Sequence, residues 1–177
     1  MCSPHDPSWK QELPRVLATV SLPLAQALSS GDRVPLIALL DQSGVERRSD
    51  QLQGKALVLF FYPKDDTPGC TMEACAFRDS YADLQALGAE VWGVSGDDQA
   101  SHQRFAQRHN LPYPLLVDRG NQLRKAFGVP SVLGLLPGRV TYVIDQGGVI
   151  RHVFNNLLDG PAHRREALEC LKRLQGA

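Results

Sequence analysis

The segment ALVLFFYPKDDTPGC, Ala56 to Cys70, decides how this chain must fold. Ala56 to Tyr62 lacks the alternation of a half-exposed strand, so it reads as a strand buried on both faces at the centre of a sheet. Pro63 ends it, because proline has no N–H to give to a ladder. The polar loop Lys64 to Gly69 then feeds a helix expected over Cys70 to Leu87. Ala74, Phe77, Tyr81 and Leu84 recur there at helical spacing, and Gly88 stands just past the end as a C-cap. A buried strand that empties into a helix start puts this loop and Cys70 at the carboxyl end of a central strand, where α/β sheets gather their function.

Outward from this segment, strands and helices alternate. Val34 to Leu40 reads as a first strand, with a turn at Ser43-Gly44. After the helix come a second buried strand, Glu90 to Ser95, and a helix, Ala100 to His109, closed by Asn110. A short strand follows at Tyr113 to Val117, then a short helix, Asn121 to Phe127, stopped by Gly128. Arg139 to Asp145 and Val149 to Phe154 form a hairpin around the tight-turn signal Gln146-Gly147-Gly148. Pro161 to Leu174 is the last helix, with Ala167, Cys170, Leu171 and Leu174 inward. The order predicts an α/β fold with a mixed central β-sheet flanked by helices on both faces. The closing hairpin and helix resemble the second half of a thioredoxin-like fold.

Composition bounds the rest. A chain of 177 residues is of single-domain size and long enough to bury a core. Lys+Arg and Asp+Glu are both 19, so no basic footprint points to nucleic acid. No apolar run reaches the roughly 18 residues of a membrane span. Residues 1–30 read as an N-terminal extension, and 31–177 as the folded domain, with Ser29-Ser30-Gly31-Asp32 at the boundary. Val16 to Leu24 followed by Ala25-Gln26-Ala27 has parts of a secretory signal. Its competitor is an extra amphipathic helix with Trp9, Leu13, Val16, Leu17 and Val20 on one side. The expected compartment is the cytoplasm, with export or a lumen as the alternative if residues 1–27 are cleaved.

The four cysteines are Cys2, Cys70, Cys75 and Cys170. They are too sparse for a disulfide scaffold, and one close pair is too few for structural zinc. No metal and no cofactor is expected. Cys70 sits at a helix N-terminus, where unpaired N–H groups and the dipole favour thiolate, the reactive form. Pro68 and Gly69 shape the approach to it, and Thr67 offers a hydroxyl that both donates and accepts. The competing reading is an inert buried thiol. If Cys70 and Cys75 are both helical, they are separated by about 7.5 Å along the axis and about 140° around it. That exceeds the roughly 7 Å Cα limit for a disulfide. Either they never pair or the helix unwinds when they do. Cys75 also fits a core-facing helical position, Cys170 fits core packing on the last helix, and Cys2 reads as a tail residue. Glu73 reads as a helix-start acid. His5, His102, His109, His152 and His163 show no ligand spacing, and the surface is their default place.

Phe60 to Asp79, FFYPKDDTPGCTMEACAFRD, closely resembles the peroxiredoxins, with P-x-x-x-T-x-x-C on Pro63, Thr67 and Cys70. The following T-x-E-A-C-x-F-R-D is similar to the peroxiredoxin Q, or bacterioferritin-comigratory-protein, branch. The likeness runs from about Gly31 to the C-terminus, through VWGVSGDD, the H-x-x-F of His102 to Phe105, LPYPLLVD and LPGRVTYVID. The resemblance implies a thiol peroxidase acting on hydrogen peroxide and organic hydroperoxides. In it, Cys70 is the peroxidatic cysteine and passes through a sulfenic acid. Cys75 is the resolving cysteine of an intramolecular disulfide, recycled by thioredoxin or a similar dithiol reductant. Thr67 holds thiolate and peroxide, Arg139 stabilises the developing charge, and Pro63 shields the site. The branch is often monomeric, so a monomer is expected. The competing functions are a disulfide oxidoreductase, whose usual C-x-x-C is missing, and a non-catalytic holdase on the same scaffold.

Overall fold

The computed structural model describes residues 26–176. The signal or helix read within residues 1–25, and Cys2 and His5, lie outside them. Strand β3, Ala56–Phe61, is buried at all six positions, as its unbroken apolar run requires. It forms the middle of a five-stranded sheet with β4 (Ala89–Ser95), β5 (Leu115–Val117), β8 (Val140–Ile144) and β9 (Ile150–Asn155), in the order β5-β4-β3-β8-β9. β3 pairs parallel with β4 and antiparallel with β8, so the sheet is mixed.

Alternate residues of β3 seed two cores. Val58 and Phe60, with Tyr62 just beyond, face helices α1 (Pro68–Asp79), α2 (Tyr81–Ala86), α3 (Gln99–His109) and α5 (Gly160–Gln175). Leu57, Leu59 and Phe61 face Ile37 and the short helix α4, Gln122–Ala126. At the β3–β4 crossing a side chain on Gly93 would stand 2.8 Å from both Phe60 and Leu115, so only glycine lets the sheet close there. The thioredoxin-like expectation is borne out.

Three elements differ from the expectation. Val34 to Leu40 yields only β1, Ala38–Leu40, which turns back through Ser43-Gly44 onto β2, Glu46–Arg48. This hairpin stays outside the main sheet and touches it through the Asp41–Leu116 bridge. The helix expected over Cys70 to Leu87 breaks at Ser80, whose backbone (φ −111°, ψ 12°) leaves the helical region. Ala74, Phe77, Tyr81 and Leu84 keep to one side of both pieces, so periodicity could not reveal the break. A small hairpin, β6 (Ser131–Val132) with β7 (Leu136–Pro137), carries too few residues for any period to show. The helix stops are as read: Asn110 and Gly88 both adopt positive φ. Ahead of Gly31, Leu28 N–H donates to the Phe127 carbonyl at 3.0 Å.

Candidate active site

Cys70 occupies the first turn of α1, just beyond the end of β3, and is 1% exposed. Pro68 and Gly69 open the helix, and Thr67 is its N-cap residue. The Arg139 guanidinium, at the foot of β8, lies over the sulfur: Nη2 donates to Cys70 Sγ at 3.3 Å. The rest of that guanidinium is held in place. Nη1 donates to Glu73 Oε2, and Nε donates to the Leu157 carbonyl at 3.1 Å. A β-carbon on Gly69 would crowd Arg139 Nη2 at 3.1 Å, which explains the glycine beside the cysteine.

Behind Arg139 lies a second polar layer. Glu73 and His163 are both fully buried, and His163 Nδ1 stands 3.4 Å from Glu73 Oε1. Burial raises the Glu73 carboxyl to about 8, and the adjacent Arg139 offsets only part of that rise. Burial lowers His163 to about 4. The N-terminus of α5 packs tightly here: a β-carbon on Gly160 would stand 2.8 Å from the Gly69 carbonyl. A second guanidinium, Arg124, donates to the Tyr62 and Gly138 carbonyls, at 2.7 Å each. Burial lowers it, while Asp118 and then Cys70 pull it back up.

The other expected residues fall as follows. Pro63 is half-buried just past β3. The Thr67 hydroxyl donates to the Lys64 carbonyl at 2.9 Å and leaves its lone pairs free; it makes no hydrogen bond to the sulfur. Cys75 is partly buried, a free thiol on the same helix as Cys70. Cys170 is buried in the core of α5, where burial raises its thiol.

Two histidines expected at the surface are not there. His163 belongs to the layer behind Arg139, and His102 is buried against Asp65 at 2.8 Å. Asp65, Asp97 and His102 stand close enough together to suggest a cation site. Hydrogen bonds account for the cluster. Asp65 accepts from the Tyr62 and Ser101 hydroxyls, Asp97 from the Ser95 hydroxyl and the Asp65 N–H, and His102 Nε2 faces the Leu116 carbonyl. This network ties the loop before Cys70 to β4 and α3.

From the sequence, Glu73 reads only as a helix-start acid and His163 as a surface histidine, and nothing there points to Arg124. For Glu73 a signal existed: it lies three positions after Cys70, on the face that Ala74 and Phe77 bury.

The profile of the AhpC/TSA family matches residues 30–153. The chain belongs to that family. Within it, the relatives are of the peroxiredoxin Q kind. The chloroplastic peroxiredoxin Q of Suaeda salsa is 51% identical over 148 residues, 83% of this chain and 69% of that protein. The Arabidopsis thaliana protein of the same name is 50% identical, over 82% and 68%. The crystal structure of peroxidoxin BcpB from Mycobacterium tuberculosis superposes with a TM-score of 0.76 at 37% identity, covering 82% of this chain and 97% of that one. The resemblance to the peroxiredoxin Q branch is thus borne out, and the enzyme is a thiol peroxidase. The cytoplasmic expectation is overturned: these plant relatives are chloroplastic. A compartment is set by an address that a receptor reads, which the composition of a folded domain does not carry. Among the described residues no helix is long and apolar enough to cross a membrane.

Proposed function

We propose that the enzyme reduces hydrogen peroxide and organic hydroperoxides at Cys70. A single observation carries this reading: an Arg139 N–H points at a buried sulfur on a helix N-terminus, with the rest of the guanidinium pinned. The fixed guanidinium and the helix dipole both stabilise the thiolate and the charge that spreads onto oxygen as the O–O bond breaks. The thiolate attacks one peroxide oxygen. An S–O bond forms, the O–O bond breaks, and the leaving oxygen takes a proton to become water or an alcohol. Thr67 turns a lone pair toward the peroxide proton while its own hydrogen stays on the Lys64 carbonyl. Pro63 keeps water off the sulfur.

The sulfenic acid then meets the Cys75 thiol, forming a disulfide and releasing water. Both residues lie within Pro68–Asp79, so the first turns of α1 unwind before the sulfurs meet. A thioredoxin-type dithiol returns the pair to thiols by exchange. A monomer suffices for this scheme, since both sulfurs come from one chain. Alkyl peroxide reduction is the subject of a solved structure of the Xanthomonas campestris bacterioferritin comigratory protein, which superposes with a TM-score of 0.74 at 26% identity. That supports organic hydroperoxides as substrates here.

Peptide mapping after one equivalent of hydrogen peroxide tests the scheme. The expected product is a Cys70–Cys75 link, formed within seconds and erased by thioredoxin. A Cys70 that stays a free thiol, or a Cys70→Ser variant that keeps full peroxide turnover, would overturn it.

A further inference from the structure

Glu73 Oε1 is buried and has no hydrogen-bond partner, although Oε2 of the same carboxyl is bonded to Arg139. His163 Nδ1 stands 3.4 Å from Oε1. The state of that nitrogen follows from its ring. Nε2 faces the Asn156 carbonyl at 2.8 Å, and a carbonyl only accepts, so Nε2 carries a hydrogen. In the neutral ring Nδ1 is then a lone pair, reached by the Thr141 hydroxyl at 2.8 Å. A carboxylate oxygen opposite that lone pair, which the Thr141 hydroxyl already engages, would set two acceptors face to face in a dry site. One proton between them removes the conflict.

We propose that His163 is a positioning residue for the peroxidase reaction: it shares one proton with Glu73 and thereby decides how much of the Arg139 charge is left for Cys70. The inference rests on the reading of Cys70 as the attacking thiolate. With the proton on the pair, Glu73 is neutral and the guanidinium charge acts on the sulfur. With the proton gone, Glu73 becomes an anion bonded to the same guanidinium, and the sulfur loses that stabilisation. No bond to carbon or sulfur changes; only the proton moves. The elevated Glu73 and the depressed His163 agree with the proton resting on the carboxyl.

The pair has charged neighbours on several sides. Cys70 lies on α1, Arg139 at the foot of β8, and Asp159 and Glu166 before and within α5, the last two favouring protonated His163. The Tyr113 phenol also feels Glu73. The Thr141 hydroxyl and the edge of the Phe154 ring complete the enclosure.

The test is the pH dependence of Cys70 alkylation, read at that residue by mass spectrometry, alongside peroxide kcat/KM. His163→Gln keeps a donor for the Asn156 carbonyl but removes the Nδ1 lone pair, so Glu73 ionises more readily. The expected result is an alkylation midpoint about one pH unit higher, roughly tenfold slower reaction near neutrality, and recovery as pH rises. Glu73→Gln is neutral at every pH, so its midpoint stays at or below that of the parent. A merely structural role would move both variants in the same direction. That outcome, or an unmoved profile in folded His163→Gln, overturns the proposal. Thr141→Val probes the pair while leaving both of its members in place. Its hydroxyl competes for Nδ1, so the midpoint is expected to fall, and a rise would refute the proposal even if His163→Gln failed to fold. Turnover that survives in Cys70→Ser would instead refute the reading of Cys70 beneath it.

Discussion

In the proposed cycle, disulfide formation requires α1 to open between Cys70 and Cys75, a stretch that Tyr113 ties down. Its hydroxyl donates to the Ala74 carbonyl at 2.6 Å in a buried contact, one residue before Cys75. Tyr113→Phe removes only this tie, because the ring stays packed edge-on to Phe60 and against Tyr81. A buried hydrogen bond contributes about 1 kcal/mol net, so the open form gains roughly fivefold in population. Where opening limits the second step, the disulfide forms about five times faster. Over-oxidation of Cys70 at excess peroxide falls in proportion, since the sulfenic acid waits a shorter time. Quenched-flow mapping of the Cys70–Cys75 peptide gives the rate, and the sulfinic acid yield at Cys70 gives the competing loss. An unchanged disulfide rate with a lowered Tm would show that the bond supports the whole domain rather than α1, and would refute this reasoning.

The remaining predictions concern the polar layer and its packing. Burial pushes the Glu73 carboxyl from its ordinary 4.5 up to about 8, so its stabilising contribution is complete below 4.5 and is lost as pH rises through 8. His163, lowered by burial from 6.5 to about 4, acts in the opposite sense and falls silent about one unit above 6.5. Urea unfolding in a Cys70→Ser background is therefore expected to show stability falling by about 1 kcal/mol between pH 6.5 and 8, and Glu73→Gln to flatten that slope. Arg139→Lys replaces a three-way fork by a point charge, and peroxide kcat/KM is expected to drop by about 100-fold with little change in Tm. Gly160→Ala drives a methyl to 2.8 Å from the Gly69 carbonyl and 3.0 Å from the Glu73 β-carbon. It is expected to cost about 1–3 kcal/mol in thermal unfolding and to slow peroxide reduction.

The framework was legible because its signals are local. Ala56 to Phe61 is buried on both faces and sits in mid-sheet, and Asn110 and Gly88 end their helices where read. Cys70 at a helix start after a Pro-Gly pair was equally local. Arg139 was reachable only through family resemblance, because a strand-end arginine looks the same whether it meets solvent or a sulfur 69 positions away. His163 joins Glu73, Thr141 and Asn156 across three elements, and no spacing along the chain encodes that meeting. The burial of Glu73 was recoverable, since the helical stripe that buries Phe77 also buries a residue three after Cys70.

The proposed cycle places two conflicting demands on α1, and the break at Ser80 reconciles them. The first turn must hold the sulfur against Arg139, and buried polar ties do so: Glu73 to Arg139, the Ala74 carbonyl to Tyr113, and Gly69 against Gly160. The same turn must come apart for Cys75 to reach Cys70. Were the helix continuous to Leu87, straightening its start would strain residues packed far into the core. With the break, α1 and α2 are separate helices, and Tyr81 and Leu84 belong to the second. α2 retains its own backbone tie, Leu84 N–H to the Ser80 carbonyl at 3.0 Å, while α1 opens. Unwinding can therefore stop at the junction. Its cost is set by a few ties around Glu73 and Ala74 rather than by the fully buried Leu84 and the core around it.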